Sequence, residues 1–237
     1  MSSIADRLSL VMQKIDLAAT RAERSVYEIT IVAVSKKQSA ESMVEYAEAA
    51  NSLGIAVVYG ESYLQELRSK SSQLPEGASV HLIGPLQSNK IKDGVKLADV
   101  IESAHSLKVL ELIAKEARAI GKRQRVFIQV NIGSDPNKSG FCVENLKDAF
   151  EAVSQNGDAL ILEGLMTITP FYDHPEDARK DFRSMNQLRA DLVSSGANRM
   201  FSGGKITLSM GMSADFEIAI EEGADLVRVG TALFGGR

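Results

Sequence analysis

The chain has no tryptophan, one cysteine (Cys142) and three histidines among its 237 residues. A single cysteine excludes an internal disulfide and a metal site built from several cysteines. The histidines His81, His105 and His174 show none of the short spacings of helical zinc sites, so we predict no metal centre. A lone thiol suits a reducing compartment, and we expect a cytoplasmic protein.

Long hydrophobic runs and an excess of positive charge are also missing. No stretch of about 18 apolar residues is present, so the sequence predicts no membrane span. Lysine and arginine together number 27 against 31 aspartates and glutamates, which gives a formal net charge of −4. This balance argues against broad binding of nucleic acid or anionic membranes, although it allows a local basic pocket for a small anion.

Short apolar segments alternate with helical patterns along the chain. An amphipathic helix comes first, because Ile4, Leu8, Val11 and Ile15 form one apolar stripe. Strands are then predicted over residues 29–35, 55–59, 80–83, 98–101, 125–130, 160–168, 206–209 and 226–229. Helices are predicted between them over residues 40–52, 62–72, 87–95, 107–120, 143–155, 175–195 and 213–222.

This alternation predicts an α/β protein with a single (β/α)₈ TIM barrel, formed by one domain over residues 1–237. A closed barrel of this type needs eight outer helices, and the pattern supplies seven after the strands. The N-terminal helix completes the outer ring by filling the gap between the last and first strands. An open, doubly wound sheet is the alternative, but no GxGxxG sequence follows the first strand.

In a barrel, functional residues lie at the carboxyl ends of the strands. Lys36 follows the first predicted strand. Partial burial there favours the neutral amine, which is nucleophilic toward aldehydes. The alternative is an ordinary solvated lysine, and the strand pattern does not decide whether Lys36 or Lys37 points inward.

The ends of the last two predicted strands indicate a phosphate site. Residues 209–213 and 230–232 are small or carry hydroxyl groups, which suits backbone and side-chain donors to an anion. Ser213 is equally suited to cap the following helix. Arg228 interrupts an apolar strand. Because a buried arginine is rare without a partner, we expect its side chain to face the barrel mouth or a carboxylate.

Eight segments in chain order resemble one family. They are VAVSK (32–36), YGESYLQE (59–66), HLIGPLQSNK (81–90), QVN (129–131), KSG (138–140), GLM (164–166), LSMGMSAD (208–215) and VRVGTALFG (227–235). The segments IGPLQSNK and LSMGMSAD are highly specific. On these motifs the sequence resembles the pyridoxal 5′-phosphate (PLP) homeostasis proteins of the YggS/PROSC type, which have an alanine-racemase-like barrel.

The resemblance implies that PLP is the cofactor and that Lys36 is its Schiff-base lysine. Arg228 would face the pyridine nitrogen and weaken the ring as an electron sink. Ser62 stands where the family usually has asparagine, so a contact to the cofactor is expected to be lost or bridged by water. The further cofactor-binding residues implied by the match are Met166, Ser209, Ser213, Gly230 and Thr231.

The resemblance also implies a monomeric carrier that buffers PLP, delivers it to apo-enzymes and maintains amino-acid and keto-acid balance without catalytic turnover. One alternative is a PLP-dependent racemase, which needs a base on each face of the substrate. In the similar racemases a tyrosine from a C-terminal domain supplies one base, and since this chain stops at Arg237 we expect no such domain. Another alternative is a phosphosugar-type barrel enzyme that uses Lys36 as a class I aldolase would.

Overall fold

In a computed structural model that describes residues 2–135 and 138–236, parallel strands close into an eight-stranded barrel in chain order. The last strand pairs with the first, with Ala33 opposite Val229. This closure confirms the predicted barrel and excludes the alternative of an open sheet. The strands are β1 (Thr30–Val34), β2 (Val58–Glu61), β3 (Ser79–Leu82), β4 (Val100–Ala104), β5 (Gln124–Gln129), β6 (Leu160–Met166), β7 (Thr207–Met212) and β8 (Leu226–Val229).

Helices cover the outside of the barrel. Within the described ranges they are α1 (Ile4–Arg21), α2 (Ala40–Ser52), α3 (Leu64–Lys70), α4 (Ile91–Leu97), α5 (Leu107–Ala119), α6 (Leu146–Gln155), α7 (Arg179–Ser194), α8 (Phe216–Glu221) and α9 (Thr231–Phe234). The start of α1 is fixed by a capping box, in which Ser3 and Asp6 bond each other's backbone N–H. Because α1 packs against α2, α8 and α9, it fills the gap in the ring as predicted.

None of the helices in the described ranges has both the length and the apolar composition needed to cross a membrane.

Several predicted boundaries are wrong, and two of them matter for the site. The strand β4 continues through Glu102 and Ser103, and β7 continues to Met212, so Ser209 lies inside a strand rather than in the loop after it. The apolar pattern ended these strands early because it treated a buried polar residue as a strand end. The short helix α9, after the last strand, was also not predicted.

The barrel interior is a packed apolar core. It is formed by Val32, Val58, Val100, Phe127, Met166 and Leu226, which come from six different strands. A Cβ atom built on Gly60 would lie 2.8 Å from Cγ1 of Val32 and 3.6 Å from Cγ2 of Val34. Val32 and Val34 therefore both point inward, and the alternation of β1 directs residue 36 toward the same side, above the core.

Candidate functional site

Lys36 lies at the carboxyl end of the barrel, in the turn that follows β1. Its half-buried side chain lines a cavity of about 660 Å³, together with Ser62 and Lys90. Within the described residues, the amine of Lys36 forms no hydrogen bond or ion pair. Lys37 is exposed and adopts a left-handed backbone conformation with φ +60°. The cavity is therefore lined by Lys36, while Lys37 faces solvent.

The loops after β1, β2, β3 and β6 build the walls of this cavity. Leu82, Ile83 and Ile168 give it an apolar surface. The β2 and β3 loops approach each other closely, since a Cβ atom built on Gly84 would lie 2.4 Å from the carbonyl oxygen of Ser62. Only glycine fits there without a shift of the backbone, so Gly84 is required for the close approach of the two loops.

The loops after β7 and β8 are joined by a hydrogen bond. The backbone N–H of Gly230 donates to Oγ of Ser213 at 3.0 Å. Gly230 packs against β1, because a Cβ atom built on it would lie 3.3 Å from Cβ of Val34. Thr231 is exposed and begins α9. These two loops thus adjoin the strand that leads to Lys36.

Arg228 lies within β8 and is only 4% exposed. Its guanidinium donates from Nη1 to Oγ of Ser209 and from Nη2 to the carbonyl oxygen of Thr167, both at 2.7 Å. Burial lowers the pKa of Arg228, and the negative charges of Glu102 and Asp215 oppose that shift. The side chain thereby connects β8 to the ends of β6 and β7 inside the barrel.

A fully buried carboxylate, Glu102 on β4, offsets the charge of Arg228. Its Oε2 accepts from Oγ of Ser209 at 2.6 Å, and its Oε1 lies 2.6 Å from Nδ1 of His81. Burial alone would raise the pKa of Glu102, but the hydrogen bonds from His81 and Ser209 and the nearby charges outweigh burial and hold the pKa below its usual range. His81 is thus a buried histidine with a carboxylate partner.

The residues predicted for the site fall into three groups. Lys36 and Ser62 line one cavity, and Ser213, Gly230 and Thr231 belong to the joined loops. The third group is inside the barrel: Met166, Ser209 and Arg228, where Met166 is opposite Ser209 in the β6–β7 register. The cavity that Lys36 lines includes neither the joined loops nor the residues inside the barrel.

Sequence reasoning missed Glu102 as a partner of Arg228. The available signal was a lone carboxylate beside an apolar segment, matched by a lone arginine in another predicted strand. Opposite charges in two buried strands predict that the charges offset each other only once the order and register of the strands are known.

We expect Glu102→Gln to lower the free energy of unfolding at pH 7 by about 1.5–3 kcal/mol, because hydrogen bonds to a charged group are lost in the interior. The pKa of Glu102 is lowered in the fold, so its ionisation stabilises fully above the unfolded value of 4.5. That contribution is lost as the pH falls through the folded pKa. Urea unfolding between pH 7 and pH 3.5 should show the difference from the unmodified protein shrinking.

The control is Glu163→Gln, which removes a carboxylate paired with the exposed Arg125. Because water reaches the exposed Arg125, the pair contributes little, and this variant should stay within about 1 kcal/mol of the unmodified protein. A deficit in Glu102→Gln that is the same at every pH would contradict an ionised Glu102.

Comparison with known proteins agrees with this geometry. A profile of the family described as alanine racemase, N-terminal domain, matches residues 11–237. The pyridoxal phosphate homeostasis protein of Aquifex aeolicus is 38% identical over 233 residues, covering 98% of this chain and 97% of that protein. The protein of the same name from Pseudomonas aeruginosa is 36% identical, covering 100% of this chain and 97% of its own length.

Solved structures show the same barrel. PipY of Synechococcus elongatus, without PLP, superposes with a TM-score of 0.82 at 30% identity over 98% of this chain and 100% of that chain. Its form with PLP bound superposes with a TM-score of 0.79 at 28% identity over the same shares. An alanine racemase of Clostridium difficile shares the fold alone, with a TM-score of 0.69 at 16% identity over 98% of this chain and 57% of that chain.

The family profile and the full-length relatives together show that this chain belongs to the pyridoxal phosphate homeostasis protein family, within the wider family of alanine racemase N-terminal domains.

Proposed function

We propose that this protein is a carrier of pyridoxal 5′-phosphate that binds the cofactor through Lys36, buffers it and passes it to apo-enzymes. The observation that carries the proposal is the amine of Lys36, which lines the cavity at the barrel mouth with no partner among the described residues. Support comes from a relative, PipY, whose structure has PLP bound, and from the name shared by the full-length relatives.

The residues at the end of β1 suit the chemistry of PLP, which supplies an aldehyde that condenses with amines. Nζ of Lys36 would attack the aldehyde carbon as the neutral amine. Lys36 would hold the cofactor through a C=N bond, with the aldehyde oxygen and the two amine protons released as water. Ile83 and Ile168 line the same cavity and give it an apolar surface beside Lys36.

For the phosphate group we propose the joined loops at Ser213, Gly230 and Thr231. Small residues and hydroxyl groups leave room for an anion, and the bond between Gly230 and Ser213 holds the two loops in one arrangement. Ser209 was expected to contact the phosphate, but its hydroxyl bonds both Glu102 and Arg228. We therefore propose that Ser209 serves the cofactor by orienting Arg228.

For the ring we propose contacts with Arg228 and Met166, which lie inside the barrel, and with Ser62, which lines the Lys36 cavity. A guanidinium facing the pyridine nitrogen disfavours protonation of that nitrogen, and an unprotonated ring withdraws electrons weakly. Such a ring suits storage of the cofactor better than turnover of amino acids.

A racemase-like enzyme is the second candidate, because Tyr63 lines the same cavity as Lys36. Racemisation needs a base on each face of the substrate, and these two side chains are a possible pair. The carrier is favoured because Tyr63 is half-exposed, at 50%, so that bulk water reaches the region where a protected base would act.

We also propose that the protein works in the cytoplasm, where the exposed free thiol of Cys142 stays reduced. The barrel over residues 1–237 would act as one cofactor-binding domain. That it acts as a monomer stays a prediction.

We expect Lys36→Ala to abolish the imine absorption band that PLP produces with the unmodified protein. Lys37→Ala, the matched control, should keep the band, since Lys37 is exposed and does not line the cavity. Borohydride reduction followed by peptide mass spectrometry should locate a PLP-sized adduct on Lys36. An unchanged band in Lys36→Ala would overturn the assignment.

We expect Thr231→Val to weaken PLP binding more than pyridoxal binding, because only PLP has the phosphate that the hydroxyl would contact. One neutral hydrogen bond contributes about 0.5–1.5 kcal/mol, which corresponds to a loss of about two- to tenfold in affinity. Equilibrium titration of both ligands measures the difference. Equal weakening of the two would argue against a phosphate contact at this residue.

We expect the PLP-loaded protein to restore activity to an apo-aminotransferase and to show no sustained exchange of the α-proton of alanine in deuterated water. The physical reason is that a weak electron sink does not stabilise the carbanion that exchange requires. Proton NMR of single-enantiomer alanine measures the exchange, with Lys36→Ala as the control. Sustained exchange with inversion that is lost in Lys36→Ala would contradict the carrier function and support the racemase-like enzyme instead.

A further inference from the structure

Behind Lys36, between β1, β2 and α3, lies a cluster of polar residues that the proposed cofactor contacts do not include. It consists of Ser35, Glu61, Glu66 and Lys70, and we call it the α3 cluster. Glu61 is fully buried and Lys70 is 9% exposed. A buried lysine and carboxylate are costly unless they are paired, so their positions are fixed by their contacts.

Two members of the α3 cluster hold the backbone on either side of Lys36. The ammonium group of Lys70 donates to the carbonyl oxygen of Ser35 at 3.0 Å. On the other side, the backbone N–H of Lys37 donates to Oε2 of Glu66 at 2.5 Å. Both peptide groups that flank Lys36 are therefore bonded to side chains of α3.

The hydrogen bond from Lys37 to Glu66 lies where the backbone conformation is energetically unfavourable. Its φ of +60° lies in the left-handed region, which a residue other than glycine adopts at a cost of about 1–3 kcal/mol. The bond to Glu66 offsets part of this cost. The chain can thus turn sharply after Lys36 while the side chain of Lys36 keeps the inward direction of Val32 and Val34.

Lys70 ties the two contacts together. Its Nζ lies 3.1 Å from Oε1 of Glu61 and 3.2 Å from Oε2 of Glu66, and Oγ of Ser35 donates to the same Oε1 of Glu61 at 2.8 Å. Burial would raise the pKa of Glu66, but the hydrogen bonds from Lys37 and Lys70 outweigh it and lower the pKa. Glu66 is therefore a carboxylate and a strong acceptor for the N–H of Lys37.

We propose that Lys70 and Glu66 are positioning residues for Lys36: by fixing the carbonyl of Ser35 and the N–H of Lys37, they aim the amine of Lys36 into the cavity. This inference rests on the proposed covalent bond between Lys36 and PLP. A lysine has four rotatable side-chain bonds, so a movable Cα would spread its amine over many positions. A displacement of about 1 Å from the reacting geometry costs about 100-fold in rate.

The test compares two ligands that differ at one group. PLP has the aldehyde that reacts with Lys36, and pyridoxine 5′-phosphate has an alcohol in its place but the same ring and phosphate. We expect Lys70→Met and Glu66→Ala to slow formation of the imine band by about 10- to 100-fold. Binding of the alcohol should change by less than about twofold, because the ring and phosphate contacts lie elsewhere.

Lys122→Met is the matched control. Lys122 is also a partly buried lysine that donates to two backbone carbonyls, those of Val95 and Ala98, but it lies away from Lys36. It should lose stability without losing the rate of imine formation. Glu66→Gln should recover much of the rate lost in Glu66→Ala, since an amide oxygen still accepts from the N–H of Lys37.

The possible failures are distinguishable. If the unmodified protein forms no imine and binds both ligands equally, the proposed function is wrong and the positioning role falls with it. If the unmodified protein forms the imine and all variants form it at the same rate, only the positioning role is wrong. If Lys70→Met and Glu66→Ala weaken the binding of PLP and of pyridoxine 5′-phosphate equally, the positioning role is also wrong. The cluster would then merely support the fold.

Discussion

The alternation of side chains around a closed sheet is the constraint on which the rest of this structure depends. Once β1 pairs with β8, every strand has one set of side chains inside the barrel and one set against the helices. In β1 the inward set begins with Val32 and Val34 and leads to Lys36 at the mouth. The outward set places Ser35 against Glu61 and Lys70. The two residues that follow β1 thus differ in role: Ser35 bonds Glu61 and Lys70, and Lys36 lines the cavity.

The same constraint arranges the barrel interior in layers. An apolar layer that includes Val32, Val58 and Phe127 fills the interior, and a charged layer of Glu102, Ser209 and Arg228 bonds within the same enclosed space. An arginine inside a barrel would be costly without a carboxylate, and a carboxylate there would be costly without donors. The hydroxyl of Ser209 bonds both Glu102 and Arg228, so the charged layer joins β4, β7 and β8 inside the barrel.

The sequence predicted the barrel because strands buried on both faces leave continuous apolar runs. It predicted Lys36 as a candidate site residue because a family motif and a strand end coincide at that position. The same signal failed for Ser209 and Glu102, since a polar residue inside a strand ends the apolar run early. Whether Lys36 or Lys37 points inward depends on the left-handed backbone at Lys37. A lysine at this position does not indicate such a conformation, so the sequence could not predict it. The contacts of Lys70 depend on the packing of α3, which spacing along the chain does not encode.

The pairing of β1 with β8 also joins the two ends of the chain. Lys36 follows the first strand, whereas Arg228 belongs to the last strand and Gly230 and Thr231 follow it. At the same seam, α1 packs against α8 and α9. Contacts so distant in sequence cannot form until synthesis has reached the last strand, and they close slowly because the loop entropy must be overcome first. A nascent chain therefore carries Lys36 beside an open sheet edge before β8 and the loop after it exist. The end of β1 and the joined loops after β7 and β8 meet only when the whole barrel is closed, so their meeting reports that folding has finished.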